Sequence, residues 1–414
     1  MNIPILRPYQ EKAVEKMLWS LSLEGNDIVC VAQGGGKTHI IAEFVKRYGE
    51  AVLILTPSKE LLEQDYNKLK ELVPVEDIGI FSASFNSKEI RKFTLATIQS
   101  AYKTPEKFSH YKVVIIDECD LLVVKNLDSM YRSFFYEIGS PKVIGMTGTP
   151  YRQDVIYERW GRQKWQVKTI TTLKMINRYK ARFWDRMLYV VNTQDLMDKY
   201  LTPLEYKDVS VITHDQIPTN KTQSEFDLEA FEQIVSNDYT SISEFIEKSP
   251  HNKKLVFCSS VQQAEKLQTM IKGSTVITAK TPMKRREKGV EAFRKSDKGV
   301  LLGVGIFSVG FDVPDIDSLF ILRPTKSLRL WSQVIGRGTR LHEGKTKCTV
   351  YDFVDNTRNL GTLESIKVVK IDNKWNVVSS ARPNGFHYEK LFEYKLKDPS
   401  KKRWQEQPLE TNWV

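Results

Sequence analysis

The sequence predicts an α/β protein of two tandem doubly wound parallel-sheet domains. Short β-branched runs recur along the first 150 residues, each followed by a polar turn and a helix-compatible stretch. The same rhythm resumes after residue 250. The length, 414 residues, suffices for two or three domains with sizeable cores.

In the first half the runs are DIVCVA (27–32), AVLILTP (51–57), FTLATIQ (93–99), KVVIIDE (112–118) and KVIGMTG (142–148). In the second they are KLVFCSS (254–260), STVITA (274–279), GVLLGVG (299–305), SLFILRP (318–324) and KCTVYDFVD (347–355). Their apolar residues occupy consecutive positions, as in strands covered on both faces. The polar residues just beyond them therefore stand at the carboxyl edge, where such sheets bind ligands. The runs place one domain at 1–150 and a second at 189–358, with a segment of broken rhythm at 151–188 and an aperiodic extension at 359–414.

Lys and Arg number 62 against 51 Asp and Glu, a net charge of +11 that favours a polyanionic partner without telling nucleic acid from a membrane surface. Ten basic residues against three acidic ones give 151–188 a net +7, leaving +4 for everything else. Trp160, Trp165 and Trp184 are interleaved with these charges. The segment reads either as a basic, aromatic element that engages phosphates and an exposed base, or as a small appendage with core tryptophans and a solvated face. Cys30, Cys119, Cys258 and Cys348 show no CxxC pairing, so reduced cytosolic thiols are expected rather than a zinc site. The first residues, MNIPILRPYQEK, do not form a signal peptide, and no apolar run approaches a bilayer span. A cytoplasmic monomer with no membrane contact is expected.

DIVCVA runs directly into Gln33, Gly34, Gly35, Gly36, Lys37 and Thr38, followed by the helical HIIAEFVKRY. Consecutive glycines let backbone N–H groups turn toward a phosphate at a helix N-terminus, whose dipole also favours the anion. Lys37 suits the β/γ-phosphates and Thr38 a Mg²⁺ ion. The strict phosphate-loop pattern fails at its first position, where Val31 replaces glycine. About 80 residues on, KVVIIDECD ends a buried strand with Asp117, suited to the Mg²⁺ shell, and Glu118, suited to orient the attacking water.

With GGGKT, DECD and TGTP (147–150) in this order, the chain resembles superfamily 2 helicases and translocases. The resemblance spans about residues 3 to 357 and implies RecA-like domains using ATP and Mg²⁺. It assigns adenine reading to LRPYQ, with Gln10 pairing with the base and Arg7 stacking on it. LTPSKELLEQ (55–64) and LATIQS (95–100) resemble segments that touch the nucleic-acid backbone, implicating Thr56, Pro57, Ser58 and Thr97. VFCSS, VGIFSVGFDVP and QVIGRGTR match the fourth, fifth and sixth motifs. By that match Gly310 and Asp312 approach the nucleotide, while Gln333, Arg337 and Arg340 face the γ-phosphate, the arginines acting as fingers.

Where RNA-unwinding DEAD-box enzymes carry Ser-Ala-Thr, this chain has TGTP; their sixth motif begins with His, this one with Gln333. Such details tilt the resemblance toward phage UvsW-like branch-migration helicases, XPB-type motors and restriction-enzyme motor subunits. No nuclease, methylation or target-recognition domain fits in the remaining chain. The implied partner is forked or branched DNA in replication, recombination and repair, in the host cytoplasm if phage-encoded. Arg159, Arg162, Lys164, Arg178 and Arg182 are the candidate phosphate contacts in the basic segment. An RNA helicase, or a scaffold that no longer hydrolyses ATP, are the alternatives. Against the second, Lys37, Thr38, Asp117, Glu118, Gln333, Arg337 and Arg340 are all present.

Overall fold

A computed structural model describes residues 6–122, 130–159, 167–178, 183–197, 199–221, 224–305, 313–381 and 388–391. They divide into two compact units: 1–152 with 175–195, and 153–174 with 196–414.

The first unit is built on strands β1 (Asp27–Val31), β2 (Val52–Thr56), β3 (Ile78–Ser82), β4 (Ser87–Lys88), β5 (Phe93–Thr97), β6 (Val113–Ile116) and β7 (Lys142–Thr147). β8 (Tyr151–Arg159) and β9 (Val167–Met175) form a separate two-stranded sheet, and β10 (Arg186–Val191) returns to the main one. The order of that sheet is β10-β1-β7-β6-β2-β5-β3-β4, parallel except at β4. Every residue of β1, β2, β5 and β6 is buried, as the continuous apolar runs predict.

Helix Pro8–Ser20 begins with proline, whose fixed φ suits a first helical position, and the Gln10 side chain reaches back to accept from the Arg7 N–H. Helix Lys37–Tyr48 ends on Gly49 at φ 71°, whose N–H returns to the Val45 carbonyl.

The sequence-based boundary at 188/189 does not hold. β10 pairs in parallel with β1, Asp27 opposite Arg186 and Val31 opposite Val191, so 175–195 belongs to the first unit. The junction is locked by Asp27, which has no exposed surface and meets Lys142 Nζ at 2.7 Å, Arg186 Nε at 2.7 Å and the Ser20 hydroxyl at 2.6 Å. Trp184 is likewise a core residue, 1% exposed. A Cβ on Gly145 of β7 would fall 2.6 Å from its ring and from Cys119 Sγ, so only glycine fits beneath that indole. The base-stacking reading therefore fails for Trp184, while Trp160 and Trp165 lie outside the described residues. Arg152 donates to the Leu122 carbonyl at 3.1 Å. The segment 151–188 is thus not one element: 153–174 falls in the second unit and 175–188 in the first.

The second unit has the parallel order β11-β16-β15-β12-β14-β13: β11 (Leu204–Asp208), β12 (Lys253–Phe257), β13 (Thr275–Thr278), β14 (Gly299–Val304), β15 (Ser318–Ile321) and β16 (Cys348–Asp352). β17 (Lys367–Ile371), β18 (Lys374–Ala381) and β19 (Tyr388–Leu391) add an antiparallel meander in the extension. Buried Lys254 caps the helix Tyr239–Lys248, donating to the Ile246, Glu247 and Ser249 carbonyls. All four cysteines are free and buried. Among the described residues, no helix is long and apolar enough to cross a membrane.

Candidate active site

Neighbouring strands β1, β7 and β6 deliver the loop after Val31, the TGTP segment and the Asp117–Glu118 pair to one carboxyl edge. Gly34 and Gly36 stand at φ 78° and 77°, left-handed values that strain any other residue here. At Gly36 a Cβ would also lie 2.5 Å from Gln10 Nε2. The Gly35 carbonyl accepts from the Tyr9 hydroxyl at 2.9 Å and from Gln10 Nε2 at 3.1 Å. Gln10 Oε1 accepts from the Arg7 N–H at 2.9 Å, and Arg7 Nη1 donates to the Tyr9 hydroxyl at 3.2 Å. LRPYQ is therefore stapled to the loop, with Tyr9 and Gln10 bonded to the Gly35 carbonyl. Gln10 already spends both ends of its amide on protein. Tyr9 was not anticipated; its aromatic hydroxyl beside Gln10 was the available signal.

Lys37 opens its helix with Nζ 3.2 Å from Glu118 Oε1 and 3.4 Å from Gln33 Oε1. Burial opposes its charge, but the Glu118 and Asp117 carboxylates prevail and raise its pKa above the usual lysine value. Glu118 itself takes φ 49°, ψ 50°, an uncommon conformation for a glutamate and one found at strained functional turns. Burial and then the Glu118 charge push Asp117 up to about 7, with Lys37 pulling the other way. Asp117 Oδ1 is buried with no hydrogen-bond partner. The next acidic residue of DECD braces the edge: Asp120 accepts from Thr147 Oγ1 at 2.7 Å and Thr149 Oγ1 at 3.2 Å. Sequence reading overlooked this link between the second and third motifs, although three hydroxyl or carboxyl groups at strand ends hinted at it.

These residues fit a magnesium–triphosphate group. The glycine cradle and Lys37 match the anion, while the orphan Asp117 oxygen and the Thr38 hydroxyl offer hard oxygen donors. Among the described residues no three acidic, His or Cys side chains are disposed to hold a metal directly. A magnesium ion here would therefore keep waters and lean on phosphate oxygens.

In the second unit Ser327 caps the helix Leu328–Ile335, accepting from the Leu330 N–H. Gln333 on that helix is 2% exposed, and neither its Oε1 nor its Nε2 has a partner. A buried amide left so is costly and points to a ligand. Arg337 follows, buried, and Arg340 is half-buried with its pKa brought down to about 10 by burial and by Arg294. A Cβ on Gly338 would meet Cys348 Sγ at 2.8 Å, so the turn needs its second glycine. Lys345 fastens it by donating to the Pro314, Gly338 and Arg340 carbonyls at 2.8 to 3.0 Å. Gly310 and Asp312 lie outside the described residues.

The expected nucleic-acid contacts divide. Thr56 is fully buried, its hydroxyl turned to the Ser58 carbonyl; Ser58 caps the helix Lys59–Leu69, and Pro57 between them is half-buried. Thr97 Oγ1 bonds Ser100 Oγ at 3.0 Å and sits 3.3 Å from Ser82 Oγ. The Thr56 and Thr97 hydroxyls thus brace the loops at the carboxyl edge rather than project from them. Arg178 is half-buried, and the side chains of Arg159, Arg162, Lys164 and Arg182 lie outside the described residues.

Residues 3–152 match the family described as type III restriction enzyme, res subunit, and residues 237–342 match the helicase conserved C-terminal domain. The chain is 27% identical over 382 residues to the putative ATP-dependent helicase IRC3 of Saccharomyces cerevisiae, covering 85% of this chain and 52% of that protein. To the putative mitochondrial ATP-dependent helicase irc3 of Schizosaccharomyces pombe it is 26% identical, covering 94% and 64%. It thus spans about half to two thirds of these two relatives. The DNA 3'-5' translocase XPB2 of Sulfurisphaera tokodaii is 24% identical over 80% of this chain and 78% of its own length. A fragment of a putative HsdR subunit of a type I restriction enzyme from Vibrio vulnificus YJ016 shares the fold, with a TM-score of 0.64, 16% identity, and coverage of 87% and 66%.

Proposed function

We propose that this chain, whose residues 3–152 and 237–342 match the restriction-enzyme res-subunit and helicase C-terminal families, is a superfamily 2 ATP-driven DNA translocase that remodels forks, Holliday junctions and displacement loops, in the manner of UvsW-like helicases. The observation that carries the motor reading is the buried Lys37–Glu118 pair at 3.2 Å beside the partnerless Asp117 oxygen. The DNA preference is supported by TGTP, by Gln333 in the sixth motif, and by the relative named a DNA translocase.

Bound magnesium supplies charge neutralisation on the phosphate oxygens. Thr38 and Asp117 would hold it. The loop N–H groups and Lys37 bind the phosphates, and in doing so Lys37 gives up Glu118. Glu118, once Lys37 has turned to the phosphates, accepts the proton of the attacking water. Arg337 and Arg340 offset charge on the transferring phosphoryl group, and Gln333 orients it. Asp120 carries any shift of the Glu118 turn to Thr147 and Thr149, and so toward the chain that binds DNA. The basic residues Arg159, Arg162, Lys164, Arg178 and Arg182 contact backbone phosphates near the branch.

Turnover and ATP-dependent product formation, compared on a fork, a four-way junction, a blunt linear duplex and a structured RNA, test this reading. Preferential stimulation and conversion of the fork and junction are expected. Greater stimulation by RNA would replace it with the RNA-helicase reading, which a 24%-identical relative named an ATP-dependent RNA helicase represents.

A further inference from the structure

Asp65 has no part in the chemistry above, yet its position is anomalous. It lies on the helix Lys59–Leu69, whose other buried residues are Leu61, Leu62 and Leu69. It is 2% exposed, and no hydrogen bond of ordinary length reaches either carboxyl oxygen. Burying a carboxylate without partners is expensive, and a fold tolerates it chiefly where a cation or ligand compensates. The groups whose charge or hydroxyl bears on it are Asp117, Thr38, Lys37 and Glu118, the phosphate and metal residues themselves. Burial, then Asp117, hold its carboxyl well above the ordinary range, against the pull of Thr38 and Lys37.

Two separate elements thus bring an orphan, buried carboxyl oxygen to the same lysine: Asp117 from the end of β6, and Asp65, which also faces Thr38, from the helix after β2. No acidic triad is disposed to ligate a metal directly among the described residues. Magnesium ordinarily retains several waters, and groups one layer out orient them. A carboxylate placed beside Thr38 but outside direct ligation suits that layer.

We propose that Asp65 is a positioning residue of the magnesium–nucleotide site, accepting hydrogen bonds from the Thr38 hydroxyl and a metal-bound water. The proposal rests on the reading of Lys37, Thr38 and Asp117 as that site. An apolar or amide replacement then removes an unpartnered buried carboxyl from the metal-free fold while weakening the hold on the cation.

The test measures how much magnesium is needed to support binding of fluorescent ADP by wild type, Asp65→Asn and Asp65→Leu, alongside thermal unfolding without ligand. The expected result is a magnesium requirement raised about 10- to 100-fold, unchanged ADP binding in EDTA, and a metal-free Tm equal to or above wild type. An unchanged magnesium requirement beside a magnesium-dependent wild type overturns the proposal alone, whatever the Tm. Nucleotide binding indifferent to magnesium in the wild type itself overturns the site reading and the proposal together. Should neither variant fold, Fe²⁺-directed backbone cleavage of wild type with ADP and peroxide decides. Nucleotide-dependent cutting near residue 65 as well as near 38 and 117 supports the proposal, and its absence near 65 overturns it.

Discussion

Replacing Asp27 by alanine tests the placement of β10 in the first unit. Asp27 is fully buried and shared between Lys142, whose side chain is 13% exposed, and Arg186, 40% exposed. Removing one partner of a buried ion pair costs about 3–5 kcal/mol. Two features draw this case to the lower end. Lys142 keeps the Leu23 and Gly25 carbonyls at 2.9 and 2.6 Å, and Arg186 is exposed enough to regain water. A loss of about 3 kcal/mol is therefore expected. In a unit of this size it lowers Tm by about 6–12 °C. Arg186→Ala, which removes only the half-exposed partner, costs about 1 kcal/mol or less. Urea unfolding gives the energies, and hydrogen exchange of the 186–191 amides reports whether β10 detaches first. An Asp27→Ala cost below about 1 kcal/mol, or β10 amides as protected as in wild type, would refute the reasoning.

Two further outcomes are expected. Trp184→Ala, in the packed space under Gly145, should cost about 3–5 kcal/mol yet leave DNA affinity of the folded protein unchanged; reduced affinity at intact stability would return the indole to the interface. Asp117→Asn should alter the pH dependence of metal-free stability. The folded Asp117 pKa of about 7 lies above the unfolded value of 3.8, so its contribution is fully present below the unfolded pKa and lost as pH rises through 7. The variant should therefore gain most in Tm over wild type at pH 8, less at pH 5 and least near pH 4, and a gain independent of pH would count against the shift.

How far the sequence disclosed this protein depends on how local each signal is. The glycine loop, the DECD turn and the QVIGRGTR helix end are set by neighbouring residues, and each appears where the motifs place it. The continuous strands were legible because burial on both faces leaves an unbroken apolar run. β10 was not: it is an edge strand of mixed exposure in a basic stretch, and its partner β1 lies about 160 residues earlier. Charge density masked a strand, and the same local reading left Trp184 open between base stacking and core packing, which the glycine on β7 beneath it decides for the core. The meander of β17–β19 was missed because Lys367, Lys370 and Lys374 interrupt its apolar positions. Asp65 looks from sequence like one more charge on an amphipathic helix; only its burial beside Thr38 and Asp117 sets it apart.

The central claim is that Glu118 and Lys37 form an ATP-hydrolysing site whose turnover DNA accelerates. Steady-state ATP hydrolysis with and without saturating forked DNA, for wild type and Glu118→Gln, tests it most directly. The account predicts DNA-stimulated turnover that falls about 10²- to 10⁴-fold in the variant while ATP binding persists. Turnover in Glu118→Gln within a few-fold of wild type, or hydrolysis in wild type indifferent to DNA, would contradict it.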